Sequence, residues 1–241
     1  MQRIAAVCLG FPLLALAPCV ANAEPWWGEA SAGLLNTSGN SKTSSGNAKF
    51  TLDYLQGSWR NAFLSQAQFA SDDGATTGER YLVTDKIDYT FYEQNYVFLA
   101  ADFEKDLFGG IRQRTSQTAG FGRHFLTGPK HFLDIELGAG AREQIEQDSR
   151  EKDTDLIGRF GADYQYKIND NSGFRETIKI ESGDANTFSQ SVTELKLYVI
   201  GNLFASVIYT VQHNSQVEPG IKSTDTTTAL NFSYAFGKKP G

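Results

Sequence analysis

The strongest constraint on the fold is an alternation of apolar with polar or small residues, which recurs in twelve segments of the chain. Its clearest example runs from Leu133 to Ala141, where every second residue is Leu, Ile or Ala. A period of two places these side chains on one face of a β-strand. The pattern therefore predicts an all-β protein with twelve strands.

The connections between these segments alternate in length. Six are longer and polar, near residues 36–43, 71–78, 108–113, 143–155, 182–187 and 214–223. Five are tight, centred on Gly57, Gln94, Gly128, Asp170 and the pair Gly201 and Asn202. An even strand count with alternately long and short connections is typical of outer-membrane barrels. We therefore expect a transmembrane antiparallel up-and-down β-barrel rather than a soluble β-sandwich.

The first 23 residues differ from the rest in composition. They contain Arg3 near the start, an apolar stretch from Ile4 to Val20, and the small residues Ala21 and Ala23. This order is that of a secretory signal peptide, and a retained membrane anchor is the alternative. We expect residues 1–23 to be cleaved during export.

Cleavage at that point would remove Cys8 and Cys19, which are the two cysteines of the chain. The mature protein would then have no thiol, and therefore neither a disulfide nor a thiolate metal site. We expect residues 24–236 to form the barrel and residues 237–241 to form a short C-terminal tail. The expected location is the outer membrane of a Gram-negative cell.

Aromatic residues collect beside the tight connections. They are Tyr54, Trp59, Tyr92, Tyr96, Phe125, Phe132, Tyr166, Phe174, Tyr198 and Phe204, with Phe236 at the end of the last segment. Rings at one height around a barrel form a girdle at the boundary between hydrocarbon and headgroups. We expect this girdle at the end of the barrel that carries the tight turns.

The positions between the apolar ones carry many charges, which we expect to line the lumen. The candidate lumen-lining residues are Asp102, Glu104, Asp134, Glu136, Arg142, Arg159, Asp163, Lys167, Arg175, Lys179, Glu181, Glu194 and Lys196, joined by Lys49, Asp53, Lys86, Asp88, Arg112 and Arg114. Ten of these nineteen are basic and nine are acidic. A balanced set is compatible with a narrow water-filled pore or with a plug of salt bridges.

Three charged residues occupy positions that should face lipid. These are Asp85, Arg123 and Glu176. A charge on the lipid face is costly near the middle of a bilayer and cheap near its surface. Either these residues lie on the outer face, or a β-bulge shifts the register and turns them inward.

The histidines, His124, His131 and His213, suggest no catalytic group. The stretch His213, Asn214, Ser215 cannot form a nucleophile and base pair, because adjacent residues of an extended strand point in opposite directions. We expect no enzyme activity, no cofactor and no metal site. A net charge of −6 also argues against nucleic acid as a partner.

Three segments carry a family resemblance. They are SAGLLNTSGNSKTSSGNAKF from Ser31, AGFGRHFLTGP from Ala119, and ALNFSYAF from Ala229. Together they resemble the YdiY-type family, described as salt-induced outer-membrane proteins of undefined function. The resemblance implies an outer-membrane β-barrel and a link to salt or osmotic response. It implies no catalytic residues.

The final segment also bears on partners. Phe236, with apolar residues at alternate positions before it, resembles the C-terminal signal that the barrel assembly machinery recognises. The other expected partners are outer-membrane lipid, lipopolysaccharide, and small solutes or ions. Two functions remain open: a small passive channel or envelope stress protein, and a closed structural barrel that supports the envelope without transport.

Overall fold

The fold was determined as a computed structural model, which describes residues 25–38, 44–72 and 75–237. The described chain forms twelve strands. They are β1 (Trp26–Ser38), β2 (Ser44–Gln56), β3 (Trp59–Asp72), β4 (Ala75–Tyr92), β5 (Asn95–Asp106), β6 (Ile111–Thr127), β7 (His131–Glu146), β8 (Lys152–Asn169), β9 (Ser172–Ser182), β10 (Thr187–Ile200), β11 (Leu203–Asn214) and β12 (Thr224–Gly237). No helix in the described ranges is long and apolar enough to cross a membrane.

The twelve strands form one closed antiparallel barrel. Each strand pairs with its neighbours in sequence, and β1 closes the ring by pairing with β12, where Ala30 lies opposite Tyr234. Closure removes the free strand edges that would otherwise expose unpaired backbone groups. The prediction of a twelve-stranded antiparallel barrel is confirmed. The predicted signal peptide and residues 238–241 of the predicted tail lie outside the described residues.

The strands extend further than the sequence pattern suggested. The predicted connections near 71–78 and 143–155 are largely strand, because β3 reaches Asp72, β4 begins at Ala75, β7 reaches Glu146 and β8 begins at Lys152. All strands but β9, which has 11 residues, are longer than the roughly 9–11 residues that cross a bilayer, and β4 and β8 reach 18. The polar residues mark where the apolar outer face ends, but the backbone hydrogen bonds between neighbouring strands continue beyond that point.

The barrel exposes apolar residues and buries polar ones. Leu137 is 63% exposed and Phe232 is 69% exposed, whereas Arg142 is 1% exposed and Glu181 is 0% exposed. This distribution is the reverse of that in a soluble protein, where large apolar patches are covered. An apolar exterior of this kind suits contact with lipid.

The aromatic prediction is wrong for the rings that lie at inward positions, of which Tyr96, Phe204 and Tyr198 are examples. Tyr96 and Phe204 are buried, 2% and 1% exposed, and Tyr198 lies opposite Phe204 with the ring centroids 5.3 Å apart. Because successive residues of a strand face opposite sides of the sheet, these three residues lie on the inward face, although each lies beside a tight turn. Outward rings do meet near that end, as Trp59 and Tyr89 show with centroids 4.7 Å apart.

The three unusual charges stay on the outer face. The Asp85 Oδ1 accepts a hydrogen bond of 2.7 Å from Asn61, and no register shift separates Asp85 from its partners Phe63 and Ala101. Glu176 pairs in regular register with Thr193 and Tyr164. Arg123 likewise pairs regularly with Asn95 and Ile135. The alternative of a bulge at these residues is therefore wrong.

Inward glycines make room for two rings. A Cβ built on Gly122 would lie 2.3 Å from the Tyr96 ring, and one on Gly120 would lie 2.8 Å from the Phe98 ring. These glycines belong to the segment from Ala119 to Pro129, where Ala119 and Phe121 face outward. On the inner face of β6, glycine leaves room for the two rings, and on its outer face the larger residues contribute to the apolar exterior.

We expect Gly122→Ala to lower the free energy of unfolding by about 1–3 kcal/mol, because the buried Tyr96 ring has no space to move. The matched control is Gly158→Ala on the outer face, where an added Cβ would meet nothing within 4 Å. Chemical denaturation in detergent, followed by tryptophan fluorescence, measures both variants. Equal stability of the two would contradict the packing described.

Candidate functional site

The candidate site is the interior of the barrel, which we call the lumen. Inward positions on β4 to β10 carry most of the charged side chains predicted to line it. Ion pairs join strands that are not neighbours in the ring, as between Arg159 on β8 and Asp102 on β5. Such pairs can form only across the inside of a closed barrel. We call the ends of the barrel the tight-turn end and the long-loop end.

A central cluster of Asp102, Arg159, Lys179 and Glu181 crosses the lumen. Arg159 Nη1 lies 2.8 Å from Asp102 and 3.3 Å from Glu181, and Lys179 Nζ lies 3.3 Å from Asp102. Thr84 also donates a 2.9 Å hydrogen bond to Asp102. Each carboxylate thus has a cation within reach, which offsets part of the cost of burying it.

A second group crosses the lumen near the long-loop end, and we call it the mouth bridge. It consists of Arg114 on β6, Asn214 on β11, Asn186 in the connection between β9 and β10, and Arg142 on β7. Arg114 donates a 2.6 Å hydrogen bond to Asn214 Oδ1, which also accepts a 2.9 Å bond from Asn186. Strands β6 and β11 lie on nearly opposite sides of the ring. The bridge therefore spans the lumen.

Arg142 holds the other side of this bridge. Its guanidinium donates to the backbone carbonyl of Asn186 and pairs with Asp155 at 3.0 Å. Asp155 in turn accepts the backbone N–H of Ala185 at 3.2 Å, so the β9–β10 connection is fixed at two points. Asn186 is 1% exposed, although it lies in a connection. The connection folds inward rather than away from the barrel.

Phe188 fills the space beneath the mouth bridge. The Arg114 guanidinium lies 3.9 Å from the centre of the Phe188 ring, a distance at which a cation is attracted to the aromatic face. The ring is 2% exposed. At this level Phe188 and Arg114 occupy part of the lumen.

The tight-turn half of the lumen holds more ion pairs. Lys86 pairs with Glu136, which also accepts a 2.8 Å hydrogen bond from Tyr96. Asp88 lies within reach of both Lys86 at 3.3 Å and Arg60 at 3.9 Å. The other pairs in this half are Arg60 with Asp53 at 2.7 Å, Arg175 with Asp163 at 2.5 Å, Lys196 with Glu29 at 2.5 Å and with Glu194 at 3.7 Å, and His124 with Asp134 at 2.6 Å. Lys167 pairs with Asp170 at 2.7 Å in the exposed turn between β8 and β9. Glu104 pairs at the other end with Arg80 at 2.5 Å.

Lys49 differs from these residues. Among the described residues, no carboxylate lies within ion-pair distance of its ammonium group, although Glu194 and Glu29 attract it and Lys196 and Arg175 repel it. Its charge is therefore not committed to one partner. Arg112, predicted to line the lumen, lies instead at a register shift between Ile111 and Gln113.

Asn186, Asn214 and Phe188 were missed by sequence reasoning. Asn186 lies in a polar stretch that has the composition of an ordinary surface connection, and no periodicity marks it as inward-folding. The described residues contain no group of three His, Cys, Asp or Glu side chains arranged to hold a metal ion. The chemistry that the interior offers is hydrogen bonding and charge.

Glu218 joins two connections at the long-loop end. It accepts the backbone N–H groups of Ser149 at 2.9 Å and Asp148 at 3.0 Å, and these bonds lower the pKa of the carboxyl below its usual range. The ionised form is therefore the one that the folded loops favour. We call this contact the loop clasp.

We expect the loop clasp to loosen in acid. Because the folded-state pKa of Glu218 is lowered, its contribution is present above the usual carboxyl pKa and is lost as the pH falls through the folded value. The protection factors of the Asp148 and Ser149 amides, measured against the intrinsic exchange rate at each pH, should fall over that range, and Glu218→Gln should show low protection already at neutral pH. Protection factors that do not change with pH would contradict the clasp.

The sequence matches the family described as "Protein of unknown function, DUF481" over residues 30–236. The chain belongs to this family. The sequence is similar to "Uncharacterized protein YdiY" of Escherichia coli (strain K12). The two are 28% identical over 213 residues, which cover 88% of this chain and 84% of the relative. The resemblance predicted from three sequence segments is thus confirmed.

Solved barrels share the fold of this DUF481 protein. The NanC porin aligns with a TM-score of 0.58 at 12% identity, covering 85% of this chain and 98% of the porin. The translocator domain of the autotransporter NalP from Neisseria meningitidis aligns with a TM-score of 0.50 at 10% identity, covering 89% of this chain and 90% of the domain. At such identities the likeness concerns the fold.

Proposed function

We propose that this protein is an outer-membrane channel for small polar solutes or ions, in a state closed at its long-loop end. An outer-membrane location is supported by the apolar exterior, since Leu137 and Phe232 are more than half exposed. It is also supported by the fold, which resembles solved porins. The expected partners outside the barrel are outer-membrane lipid and lipopolysaccharide, with the barrel assembly machinery during insertion.

The observation that carries the channel proposal is the charged lumen. Buried ion pairs such as Arg159 with Asp102 are poor sources of stability, because desolvation offsets their attraction and apolar residues would pack as well or better. A barrel that only needed a filled interior would gain nothing from charges. Charged side chains in the lumen are favoured if water and solutes enter it when the channel is open. We therefore interpret the structure described above as the closed, resting state of a channel that also has an open state.

Lys49 is the residue best placed to influence which ions pass. A substitution at Lys49 leaves no carboxylate without its ion-pair partner, whereas a substitution at Arg159 or Lys86 would do so. In a lumen whose other charges are mostly paired, one uncommitted cation has a disproportionate effect on the local potential. We expect a modest preference for anions in the open state.

Planar-bilayer recording of the refolded chain from Glu24 to Gly241 tests this function. The wild type should show rare openings with a weak anion preference, and Lys49→Glu should move the reversal potential toward cation preference. The matched control is Lys152→Glu, because the side chain of Lys152 is 57% exposed and lies outside the lumen. A folded, inserted protein that never conducts, or an equal shift in the control, would contradict the proposal.

The second candidate is a closed structural barrel linked to salt or osmotic stress. It is favoured by the packing of Tyr96 and Phe98 against Gly122 and Gly120, which fills part of the lumen with rings. Under this alternative no variant of the mouth bridge would conduct. Deletion of the gene would instead weaken the envelope in high salt, and the charge at Lys49 would have no effect on that phenotype.

A further inference from the structure

The lipid-facing side of the barrel carries one continuous row of polar groups. The register places Tyr164 on β8 opposite Glu176 on β9, Glu176 opposite Thr193 on β10, and Thr193 opposite Tyr209 on β11. Ser191 extends the row along β10, two residues from Thr193. We call these five residues the outward polar row.

The row lies between apolar residues on β9 and β11, and on β10 it marks the end of the apolar face, because Ser189 and Thr187 follow Ser191 at the outward positions toward the long-loop end. On β9, Glu176 is followed on the same face by Ile178 and preceded by Phe174. On β10, Leu195 and Leu197 follow Thr193 at alternate positions and are 38% and 50% exposed. Hydrocarbon offers no hydrogen bonds, so polar groups placed there need partners from protein.

Part of that need is met inside the chain. Ser191 donates a 2.6 Å hydrogen bond to Glu176 Oε1, and Thr193 donates a 2.5 Å bond to Glu176 Oε2. Each carboxylate oxygen still has a lone pair to accept a further donor. Tyr209 is 45% exposed, and its hydroxyl has no hydrogen-bond partner among the described residues. The row therefore presents a free donor on β11 and an acceptor on β9, with Thr193 of β10 between them.

Asp85, an outward carboxylate on the other side of the ring, shows a different arrangement. Asp85 is bonded to Asn61 at 2.7 Å, and the residues beside it on the outer face, Phe63, Val83 and Ile87, are apolar. That pair is an isolated polar contact in an apolar surface. The outward polar row instead extends across four strands, which is the extent expected of an interface.

We propose that a second copy of this chain binds the outward polar row, so that two barrels form a two-fold dimer. Copies inserted by the same route share one orientation, so a two-fold axis must run along the membrane normal and place the same surface of each barrel in contact. The row is complementary to itself, since Tyr209 of one copy can donate to Glu176 of the other. The dimer does not depend on whether the lumen conducts.

Cysteine cross-linking tests this interface, because the chain from Glu24 to Gly241 contains no cysteine. Ser191→Cys places a thiol in the row, where a two-fold axis brings it near its own copy. Ser65→Cys on β3 is the matched control, as an outward serine on the far side of the ring, opposite Phe50 and Val83. Both variants would be reconstituted in lipid, oxidised, and separated on a non-reducing gel.

We expect Ser191→Cys to give a covalent dimer and Ser65→Cys to remain a monomer. Native mass spectrometry of the unmodified protein should show a dimer, and the double variant Glu176→Leu, Tyr209→Phe should show a monomer that is still folded by its heat-modifiable mobility. A monomeric unmodified protein would overturn the proposal. So would cross-linking that is equal at both positions, or a double variant that remains dimeric.

Discussion

Replacing both Asn186 and Asn214 with alanine should convert the barrel from a mostly closed to a frequently open channel. The two side chains connect Arg114 on one side of the lumen with the inward-folded β9–β10 connection. The bond from Arg114 is charge-assisted and the bond between the two asparagines is neutral, together about 3 kcal/mol. Asn186 Oδ1 also loses the bonds that it accepts from Ser215 and from the Gln216 backbone N–H, which tie the connection to its neighbour rather than across the lumen. A loss of that size changes the ratio of open to closed states by roughly a hundredfold.

Single-channel recording measures this as the fraction of time spent open. The matched control is Ser182→Ala, which removes a 3.0 Å hydrogen bond to Thr187 at the exposed base of the same connection but leaves the mouth bridge intact. The control should behave as the unmodified protein does. If the double variant and the control have the same open fraction, the mouth bridge is not the closing element.

The second large effect is expected for Arg159→Met. Removing the guanidinium leaves Glu181, 0% exposed, without its ion-pair partner and leaves Asp102 with Lys179 alone. Breaking a buried pair from one side costs about 3–5 kcal/mol, because the remaining charge stays buried. We therefore expect a large fall in the free energy of unfolding in detergent.

The matched control for Arg159→Met is Lys152→Met. Lys152 pairs with Glu143 at 2.8 Å, but both side chains are substantially exposed, 57% and 40%. Exposed pairs contribute about 0–1 kcal/mol, so the same chemical change should have little effect there. Denaturation curves recorded under one set of conditions give both values. A small loss for Arg159→Met would show that the lumen is wet rather than packed.

The barrel could be predicted from the sequence because its two faces differ so strongly in polarity. A lipid-facing strand must be apolar at alternate positions, and this requirement holds independently of what any other strand does. The alternation on β7, from Leu133 to Ala141, is enough to assign its outer face. Strand order then follows from tight turns, since short connections join neighbouring antiparallel strands.

Interior contacts could not be predicted in the same way. Arg114 meets Asn214, 100 residues away in the chain, because the size and stagger of the ring bring them together. No local pattern encodes that distance. The misplaced rings have a similar cause: Tyr96 and Phe204 were judged by their closeness to a turn, whereas parity along the strand decides which face they occupy.

The central claim is that the barrel spans lipid with its apolar face outward and its charged face inside. Spin labels on β4, on the far side of the ring from the outward polar row, test it directly, at the outward positions Val83 and Ile87 and the inward positions Leu82 and Thr84. In reconstituted membranes, the outward labels should collide often with dissolved oxygen, which concentrates in hydrocarbon, and the inward labels should collide rarely. Equal oxygen collision rates on both faces, or outward labels freely reached by a water-soluble relaxing agent, would contradict the account.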